Sequence, residues 1–377
     1  MAHSYTPGLT VTPRTLVARK RLLPIPGVVL VQEGESVSSD KVVARAELPG
    51  KVHVVNVVNL LGILPEDLKE FMVKREGERV EQGQVLAENK PLIKWFKSTV
   101  VSPITGSVET ISNSTGQVLL REPPRRLDLF SYVDGRVVEV IPGQGVRIET
   151  TCAFVQGIFG VGGETWGTLV MVATSPQQPL EAGQLTSDHA GKIVIGGAFV
   201  GAEALQRAKA VGVKGLVVGG MHDKDLRVLL GYDLGVAITG TENIGFTLVL
   251  TEGFGQIPMA NKTFELLQAL NGQKASISGA TQIRAGVIRP EIIVPRGSEE
   301  TINAADLSGP VRAGAKIGDP VRVIREPFFG RIGEVVALPS DLLMIPTESH
   351  VRVMEIKFAD GTKAVVPRAN IEIIEGS

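Results

Sequence analysis

The sequence predicts a multidomain, β-rich α+β protein, and three observations support this class. The chain has 377 residues, more than one compact core usually holds. Its 43 glycines and 22 prolines indicate many tight turns, and only 5% of its residues are aromatic. Strand-like runs alternate with helix-like runs only between residues 191 and 295. Helices should therefore be confined to that segment, apart from a short insertion at residues 64–73.

Residues 1–26 predict an extended basic arm. Arg14, Arg19, Lys20 and Arg21 carry its positive charge, no acidic residue accompanies them, and four prolines prevent a helix. A solvated tail agrees with this pattern, and so does an arm that touches an acidic surface or RNA.

An internal repeat dominates residues 27–122. The segment 33–44 (EGESVSSDKVVA) matches 76–87 (EGERVEQGQVLA) at its EGE-x-V start and at its apolar end. A second similarity relates residues 104–120 to 133–148, since each contains a Gly-x-Val strand, a turn and a returning strand. Two copies of each of these two β-motifs predict a pseudo-symmetric sandwich or barrel. We expect the two EGE copies to form equivalent hairpins related by a pseudo-two-fold axis.

The second copy and the strand after it resemble the barrel-sandwich hybrid of lipoyl and biotinyl carriers. The resemblance implies a modified lysine on a hairpin before Ser102, at the place of Trp95, but neither carrier lysine motif is present. We therefore expect no biotin, no lipoate and no other cofactor. The positions that carry the resemblance are Gly77, Val80, Gly83, Leu86, Pro103, Gly106 and Val108.

Residues 123–180 are expected to form a β-rich connecting module, and residues 181–297 an α/β domain. The pattern predicts helices at 202–211, at 224–230 with Asp223 as N-cap, and at 259–270. The runs GKIVIGG, AEALQRAKAVGVKGLVV and IPMANKTFELLQALNG resemble the protease-associated domain, a swivelling β/β/α module. That resemblance implies a non-catalytic lid or docking module, and a generic βαβ unit is the alternative.

A glycine-rich loop joins the first strand of this domain to its first helix. Gly196, Gly197 and Gly201 lie where a strand meets a helix N-terminus, an arrangement that can bind anions. Glu252 follows a later strand and would lie at the same edge of the sheet, where open α/β sheets bind ligands. These four residues form a candidate anion or ligand loop.

Residues 298–314 are expected to form a linker, and residues 315–377 a small barrel. The run KIGDPVRVIREPFFGRIGEVVAL resembles the KOW motif of transcription elongation factors and ribosomal proteins, which implies an SH3-like barrel that docks a protein or contacts RNA. Nine basic and nine acidic residues follow position 310, so the surface does not predict general nucleic-acid binding. The candidate partner-binding residues are Arg322, Arg325, Phe328, Phe329 and Arg331.

No pattern in the chain predicts a catalytic site or a metal site. The single cysteine, Cys152, excludes an internal disulfide, and no apolar run predicts a membrane span, so we expect a cytoplasmic protein without a membrane partner. The predicted function is a non-enzymatic scaffold or adaptor. Its expected partners are another protein or a second copy of the chain, with RNA, the ribosome or RNA polymerase as further partners of the KOW-like barrel. The alternatives are a homo-oligomeric structural protein and an enzyme or ligand-binding protein that uses the α/β crevice.

Overall fold

The computed structural model describes residues 9–89, 98–232, 239–282, 288–296, 315–325, 327–339, 342–344 and 350–373. Strands make up 46% of the structure and helices 15%, which confirms the β-rich α+β class. None of the helices in these ranges is both long and apolar enough to cross a membrane.

The first part of the chain contains mainly short strands. They and two short helices are β1 (Val11–Leu22), β2 (Val28–Val29), β3 (Ser36–Val37), β4 (Val42–Leu48), β5 (Val52–Asn56), α1 (Val57–Leu61), α2 (Leu68–Phe71), β6 (Arg79–Val80), β7 (Val85–Glu88), β8 (Thr99–Val101), β9 (Gly106–Ser112), β10 (Gln117–Arg121), β11 (Arg125–Phe130), β12 (Gly135–Ile141) and β13 (Gly145–Gln156).

The second part contains the longer helices. Its elements are β14 (Phe159–Val161), β15 (Glu164–Met171), β16 (Pro179–Leu180), β17 (Ile193–Ile195), β18 (Phe199–Val200), α3 (Ala202–Val211), β19 (Gly215–Met221), α4 (Asp223–Leu230), β20 (Thr247–Phe254), α5 (Asn261–Ala269), β21 (Lys274–Ser278), β22 (Glu291–Pro295), β23 (Pro320–Val323), β24 (Ile332–Ala337), β25 (Leu342–Met344), β26 (His350–Phe358), β27 (Lys363–Pro367) and β28 (Ile371–Ile373). Short 3-10 turns occur at Pro65–Asp67, Ala182–Gln184, Ser187–His189 and Arg368–Asn370.

The N-terminal half consists of two β-modules, one inserted into the other. Module A contains β1 to β4 and β11 to β13, and module B contains β5 to β10 with α1 and α2. In module A, β2, β4 and β11 form a three-stranded sheet, while β3 pairs with β12. Module B has its own sheet in the order β5-β10-β9-β6 and the separate pair β7-β8. Because β4 pairs with β11, module A extends past the expected boundary at residue 122.

The two EGE copies have the same local structure. Gly34 and Gly77 both have φ of +85°, a left-handed conformation that favours glycine. The N–H of Gly34 donates to the Val137 carbonyl, and that of Gly77 donates to the Val108 carbonyl, each at 2.7 Å. The two copies are therefore equivalent in local structure, but they are not hairpins, because the two strands of each copy pair with other strands: β3 with β12 and β4 with β11, β6 with β9 and β7 with β8. The pseudo-two-fold axis stays a prediction.

The similarity extends to the start of the second repeated motif, residues 104–120 in module B and 133–148 in module A. Ser131 in module A donates its hydroxyl to the Val133 carbonyl, and Ser102 in module B donates to the Ile104 carbonyl, both at 2.6 Å. The pair β4-β11 of module A therefore corresponds to the pair β7-β8 of module B. Module B is inserted in the chain between β4 and β11 of module A. At the corresponding place in module B, between β7 and β8, the chain has residues 90–97. The expected Trp95 position belongs to that segment and lies outside the described residues.

A neck of two chain segments joins module B to module A. The N–H of Glu122 donates to the Lys51 carbonyl at 2.9 Å, and Arg121 donates to the Gly50 carbonyl at 3.0 Å. His53 Nε2 lies 2.7 Å from Glu122 Oε1 across the same neck. A Cβ atom at Gly50 would overlap the Glu122 carbonyl oxygen, so the two segments can be this close only because residue 50 is glycine.

Module A and the α/β core share one sheet of 13 strands. Its order runs β14-β20-β19-β17-β15-β21-β22-β13-β12-β3, with β1 beside β13 and β16 and β18 at one side. Strands β15, β17, β19 and β20 are parallel to one another, whereas the pairs β14-β20, β15-β21, β21-β22 and β22-β13 are antiparallel. The sheet is therefore continuous from the parallel core into module A.

Helices cover both faces of the parallel strands. Leu205 of α3 and Leu226 of α4 pack with Leu216 on one face, whereas Leu267 of α5 packs with Val217 on the other. Successive residues of β19 therefore enter different cores, which explains why this strand is apolar without alternation.

The predicted α3 has the expected bounds and ends at Gly212, whose φ is +78°. Helix α4 differs from the prediction because it begins at Asp223, so His222 rather than Asp223 holds the N-cap position.

In the described part of the basic arm, residues 11–22 form a strand rather than a solvated tail. Residues Val11 to Leu22 pair with β13 along its length, in antiparallel register from Val155 to Gly145. Arg19 pairs with Glu291. Arg19 is one of the positive charges that suggested contact with an external acidic surface, and its acidic partner belongs to the same chain.

Tyr132 ties module A to the α/β core. It is 1% exposed and is the only non-glycine residue of the described ranges with positive φ, at +70°. Its hydroxyl donates to Glu291 Oε1 at 3.3 Å, and its carbonyl accepts from the Ser276 hydroxyl. Burial is the main reason that the pKa of Tyr132 lies well above its ordinary value, so this hydroxyl keeps its proton.

The C-terminal module, residues 315–373 within the described ranges, has its own sheet and core. The sheet order is β25-β26-β24-β23-β28, with β27 paired to β26. Val321, Val335, Ile356 and Val366 are buried inside it.

Candidate functional site

The KOW-like run directs one arginine toward the α/β core. In β23, Val321 and Val323 point into the C-terminal module and are at most 1% exposed. Strand alternation places Arg322 on the opposite face. That face packs on the core, so the Arg322 side chain is only 2% exposed.

Arg322 belongs to a buried network of four charged side chains. It pairs with Glu252 at the end of β20, and its Nη1 lies 3.6 Å from Glu372 Oε2. Arg289, which precedes β22, approaches the same Glu372 oxygen with its Nη1 at 3.2 Å. The other oxygen of Glu252 accepts the Ala260 N–H at 3.0 Å. Two cations and two anions therefore meet where the C-terminal module touches the core.

The network is incompletely satisfied. Arg322 Nε and Glu372 Oε1 are buried and have no hydrogen-bond partner among the described residues. Burial raises the pKa of Glu372, and this effect outweighs the attraction of Arg289 and Arg322, which lowers that pKa. Burying these four charged side chains therefore costs desolvation free energy.

An aromatic and glycine contact completes the interface. Phe329 packs against the apolar cluster of the α/β core, with its ring centroid 6.4 Å from that of Phe254. Gly253 and Gly330 meet closely, because a Cβ atom at Gly253 would lie 2.8 Å from the Gly330 carbonyl oxygen. Ile324, 6% exposed, joins the same cluster.

The other predicted residues of the KOW-like run face elsewhere. Phe328 packs in the core of the C-terminal module, 5.5 Å from the Phe358 ring. The guanidinium of Arg331 stacks 3.9 Å from the centroid of the Phe358 ring and pairs with Asp360 at 2.6 Å. Arg325 is half-buried in the segment after β23.

The five candidate residues therefore do not form one exposed face. Arg322 and Phe329 contact the α/β core, whereas Phe328 supports the C-terminal module from inside. The side chain of Arg331 remains 38% exposed. The expectation of a basic face that includes Arg322 is corrected, because alternation directs this residue outward and the core lies there.

The glycine-rich loop and Glu252 do not form one ligand loop. The Gly196 N–H donates to the Val217 carbonyl at 2.8 Å, and Gly197 has no room for a side chain beside the Gln178 carbonyl. Strand β18 lies between Gly197 and Gly201 and pairs with both β16 and β19. Glu252 instead pairs with Arg322 of the C-terminal module. A ligand at Gly196, Gly197 and Gly201 stays a prediction.

Neither metal ligands nor a reactive thiol add to this site. In the ranges that the structure covers, no three His, Cys, Asp or Glu side chains are grouped as metal ligands. Cys152 is fully buried in β13, and desolvation raises its pKa to about 12, which keeps the thiol protonated.

Sequence reasoning missed Arg289, Glu372, Gly253 and Phe254. Glu372 lies between Ile371 and Ile373 in β28, where alternation predicts an exposed side chain. Its cross-strand partner is Arg322. The sequence signal for a buried Glu372 is that its charge is opposite to that of Arg322. This signal can be recognised only when the register between β23 and β28 is known.

No protein-family model matches the chain, and no curated protein matches it either.

Proposed function

We propose that the protein is a non-enzymatic scaffold that holds several partner-binding modules in fixed relation. The observation that carries this proposal is the continuous sheet of 13 strands, which joins module A to the α/β core through β13, β22 and β21. A hydrogen-bonded sheet resists bending between its two halves better than a flexible linker does. The C-terminal module has a sheet of its own and docks on this body through the buried contact of Arg322 with Glu252, so the shared sheet holds only module A and the α/β core rigidly.

The modules themselves suggest docking roles. We assign modules A and B to the barrel-sandwich type, the α/β core to the swivelling type and the C-terminal module to the SH3-like KOW type. The nested repeat supports the first assignment, and the order of β23, β24, β26 and β28 is compatible with the last. The KOW resemblance favours a partner in transcription or translation.

Module B is the part best placed to present a binding surface away from the body. It has its own buried core, which includes Leu86 and Leu120, and it joins the rest of the chain through the neck. Val54 and Leu60 are 58% and 63% exposed on it, and we propose that a protein partner of module B covers these two side chains.

The test is affinity purification of the tagged full chain from its native host, with and without nuclease and at low and high salt. A scaffold should retain a defined protein partner in stoichiometric amounts after nuclease treatment. The control is an equally tagged chain with Val54→Glu and Leu60→Glu, which should lose a partner of module B.

Other outcomes would overturn the proposal. Loss of all partners with nuclease would assign the chain to RNA contact through the C-terminal module. Recovery of the chain alone, as one discrete oligomer, would favour the homo-oligomeric structural protein. A monomer that is stabilised by a small ligand would favour the α/β crevice as a ligand site.

A further inference from the structure

The C-terminal module covers the edge of the α/β core where parallel sheets usually hold ligands. Strand β20 runs parallel to β19 and ends at Phe254, with Glu252 and Gly253 just before that end. Open α/β sheets bind ligands outside the carboxyl ends of their strands. In this chain the guanidinium of Arg322 occupies that place and neutralises Glu252.

The two surfaces complement each other in charge. The core contributes Glu252 and Arg289, and the C-terminal module contributes Arg322 and Glu372, so each side supplies one cation and one anion. All four side chains are at most 10% exposed. Complementary charges at an interface fix register and select one partner over others.

The two surfaces also complement each other in shape. Gly330, with φ of +79°, lies against the backbone of Phe254, and Phe329 reaches the apolar cluster of the core. The Pro-Phe-Phe-Gly turn is thus the segment that enters the core surface. Its glycine permits the close approach, and its second phenylalanine supplies the apolar contact.

The contact has features of a reversible interface. Burying four charged groups offsets much of their mutual attraction. Two polar atoms of the network, Arg322 Nε and Glu372 Oε1, lack partners in the described part of the chain. A partner that satisfied Arg322 more completely could therefore compete with Glu252.

We propose that the α/β core acts as an internal inhibitor of the C-terminal module: it occupies Arg322 and Phe329, and a partner gains these residues only after the module undocks. The inference rests on the proposed scaffold function in one respect, namely that the C-terminal module has a partner. The docking itself can be tested without knowing that partner.

The experiment uses the full chain with a recognition site for a sequence-specific protease inserted between Ala304 and Ala305. After cleavage, the fragment that contains the C-terminal module should stay bound to the rest of the chain during size-exclusion chromatography at physiological salt. High salt should weaken this retention only in part, because the charges are buried.

Three variants locate the contact. Phe329→Ala should weaken retention roughly 30-fold or more, as expected for a buried aromatic anchor. Glu252→Gln, which alters only the core, should also weaken retention strongly because Arg322 loses the charged partner that the core supplies. Arg331→Ala is the matched control from the same run and should leave retention unchanged, since Arg331 pairs with Asp360 inside the module.

Circular dichroism and hydrogen exchange of residues 350–373 check that each variant remains folded. Separation of the two wild-type fragments at physiological salt would overturn the docking. Unchanged retention in both Phe329→Ala and Glu252→Gln would overturn the assigned contact.

Binding in the native host distinguishes this inference from the scaffold proposal. Intact Glu252→Gln protein should capture more of any partner of the C-terminal module than wild type does. If the fragments dock as expected but Glu252→Gln captures no more partner, the inhibition is refuted while docking and scaffold function stand. If no partner is captured by any variant, the scaffold proposal fails while the docking measurement keeps its own result.

Discussion

Arg322 has the most consequential position of any single side chain at the interface. It is a buried cation whose neutralisation depends on Glu252 and Glu372, which come from different modules. Removing one partner of a buried ion pair leaves the other charge uncompensated, which is more costly than exchanging the whole pair for apolar groups.

Arg322→Met should therefore destabilise the C-terminal module by about 3–5 kcal/mol. The double variant Arg322→Met with Glu252→Gln should recover part of this loss, because it removes the stranded anion. Hydrogen exchange of β23 and β28 measures both effects. Arg331→Met, at an exposed ion pair, is the control and should cost less than about 1 kcal/mol. Equal losses in the single and double variants would contradict the argument.

Glu372 gives the interface a defined pH dependence. Its pKa is raised above the ordinary value of 4.5, mainly by burial, so the folded protein holds this proton more tightly than the unfolded chain. The stability that this proton contributes is fully present below pH 4.5 and is lost as the pH rises through the raised pKa. The charged groups that face Glu372 are Arg289 and Arg322, with Glu252 adding repulsion.

Glu372→Gln should flatten this dependence, because the amide stays neutral at every pH. Urea unfolding followed from about pH 4 to about pH 8 would show a smaller loss of stability with rising pH than in wild type. Glu334→Gln, at an exposed site in β24, should keep the wild-type profile. A steeper loss in Glu372→Gln would mean that the ion pairs with Arg289 and Arg322 outweigh burial.

Arg322 also shows what the sequence alone does not predict. Alternation correctly separates Val321 and Val323 from Arg322, but it says only that Arg322 leaves the core of its own module. What lies on the other side depends on how two modules dock. Phe328 and Phe329 illustrate the same limit, because adjacent aromatics enter two different cores.

Among the elements, the repeated strand-turn-strand unit is the one that the sequence predicts best, although its two strands do not pair as a hairpin. Its signal is a glycine with a fixed role, since Gly34 and Gly77 share the same left-handed φ. Helix α3 is equally predictable from the sequence, because its apolar stripe and C-terminal Gly212 are local features. Strand β1 is not, since its partner β13 lies far along the chain and nothing in residues 11–22 specifies it.

Gly34→Ala and Gly77→Ala should each cost about 1 kcal/mol, because an L side chain disfavours positive φ. Neither position has an atom within 4 Å of the added Cβ, so the cost is purely conformational. Gly183→Ala is the matched control: its surroundings are equally open and its backbone is not left-handed. Thermal unfolding measures all three, and a loss in Gly183→Ala equal to the other two would contradict the assignment.

Across the whole molecule, module B should behave as a separate unit of stability. Leu120 is fully buried in module B, and Ile277 is fully buried in the α/β core. Neither residue shares an apolar cluster with the other module. Local cooperative units open independently when few contacts join them.

Leu120→Ala should therefore lower protection from hydrogen exchange only within residues 52–121, by about 2–5 kcal/mol. Ile277→Ala, a truncation at a comparably buried position, should lower protection across the shared sheet and leave module B unchanged. Loss of protection outside module B in Leu120→Ala would show that the neck transmits stability. Each variant thus serves as the control for the other.

The pairing of β1 with β13 also sets an order of events during synthesis. Leu22 pairs with Gly145, and the whole of module B lies between them in the chain. Strand β1 therefore leaves the ribosome long before its partner strand β13 is synthesised. Module B, being contiguous, can fold first and bring the two ends of its neck together. A folded insert then acts as a short connection that brings β4 next to β11, so that these two strands of module A can pair. The nested repeat therefore also sets an order of folding, in which the inserted copy folds before the copy that contains it is complete.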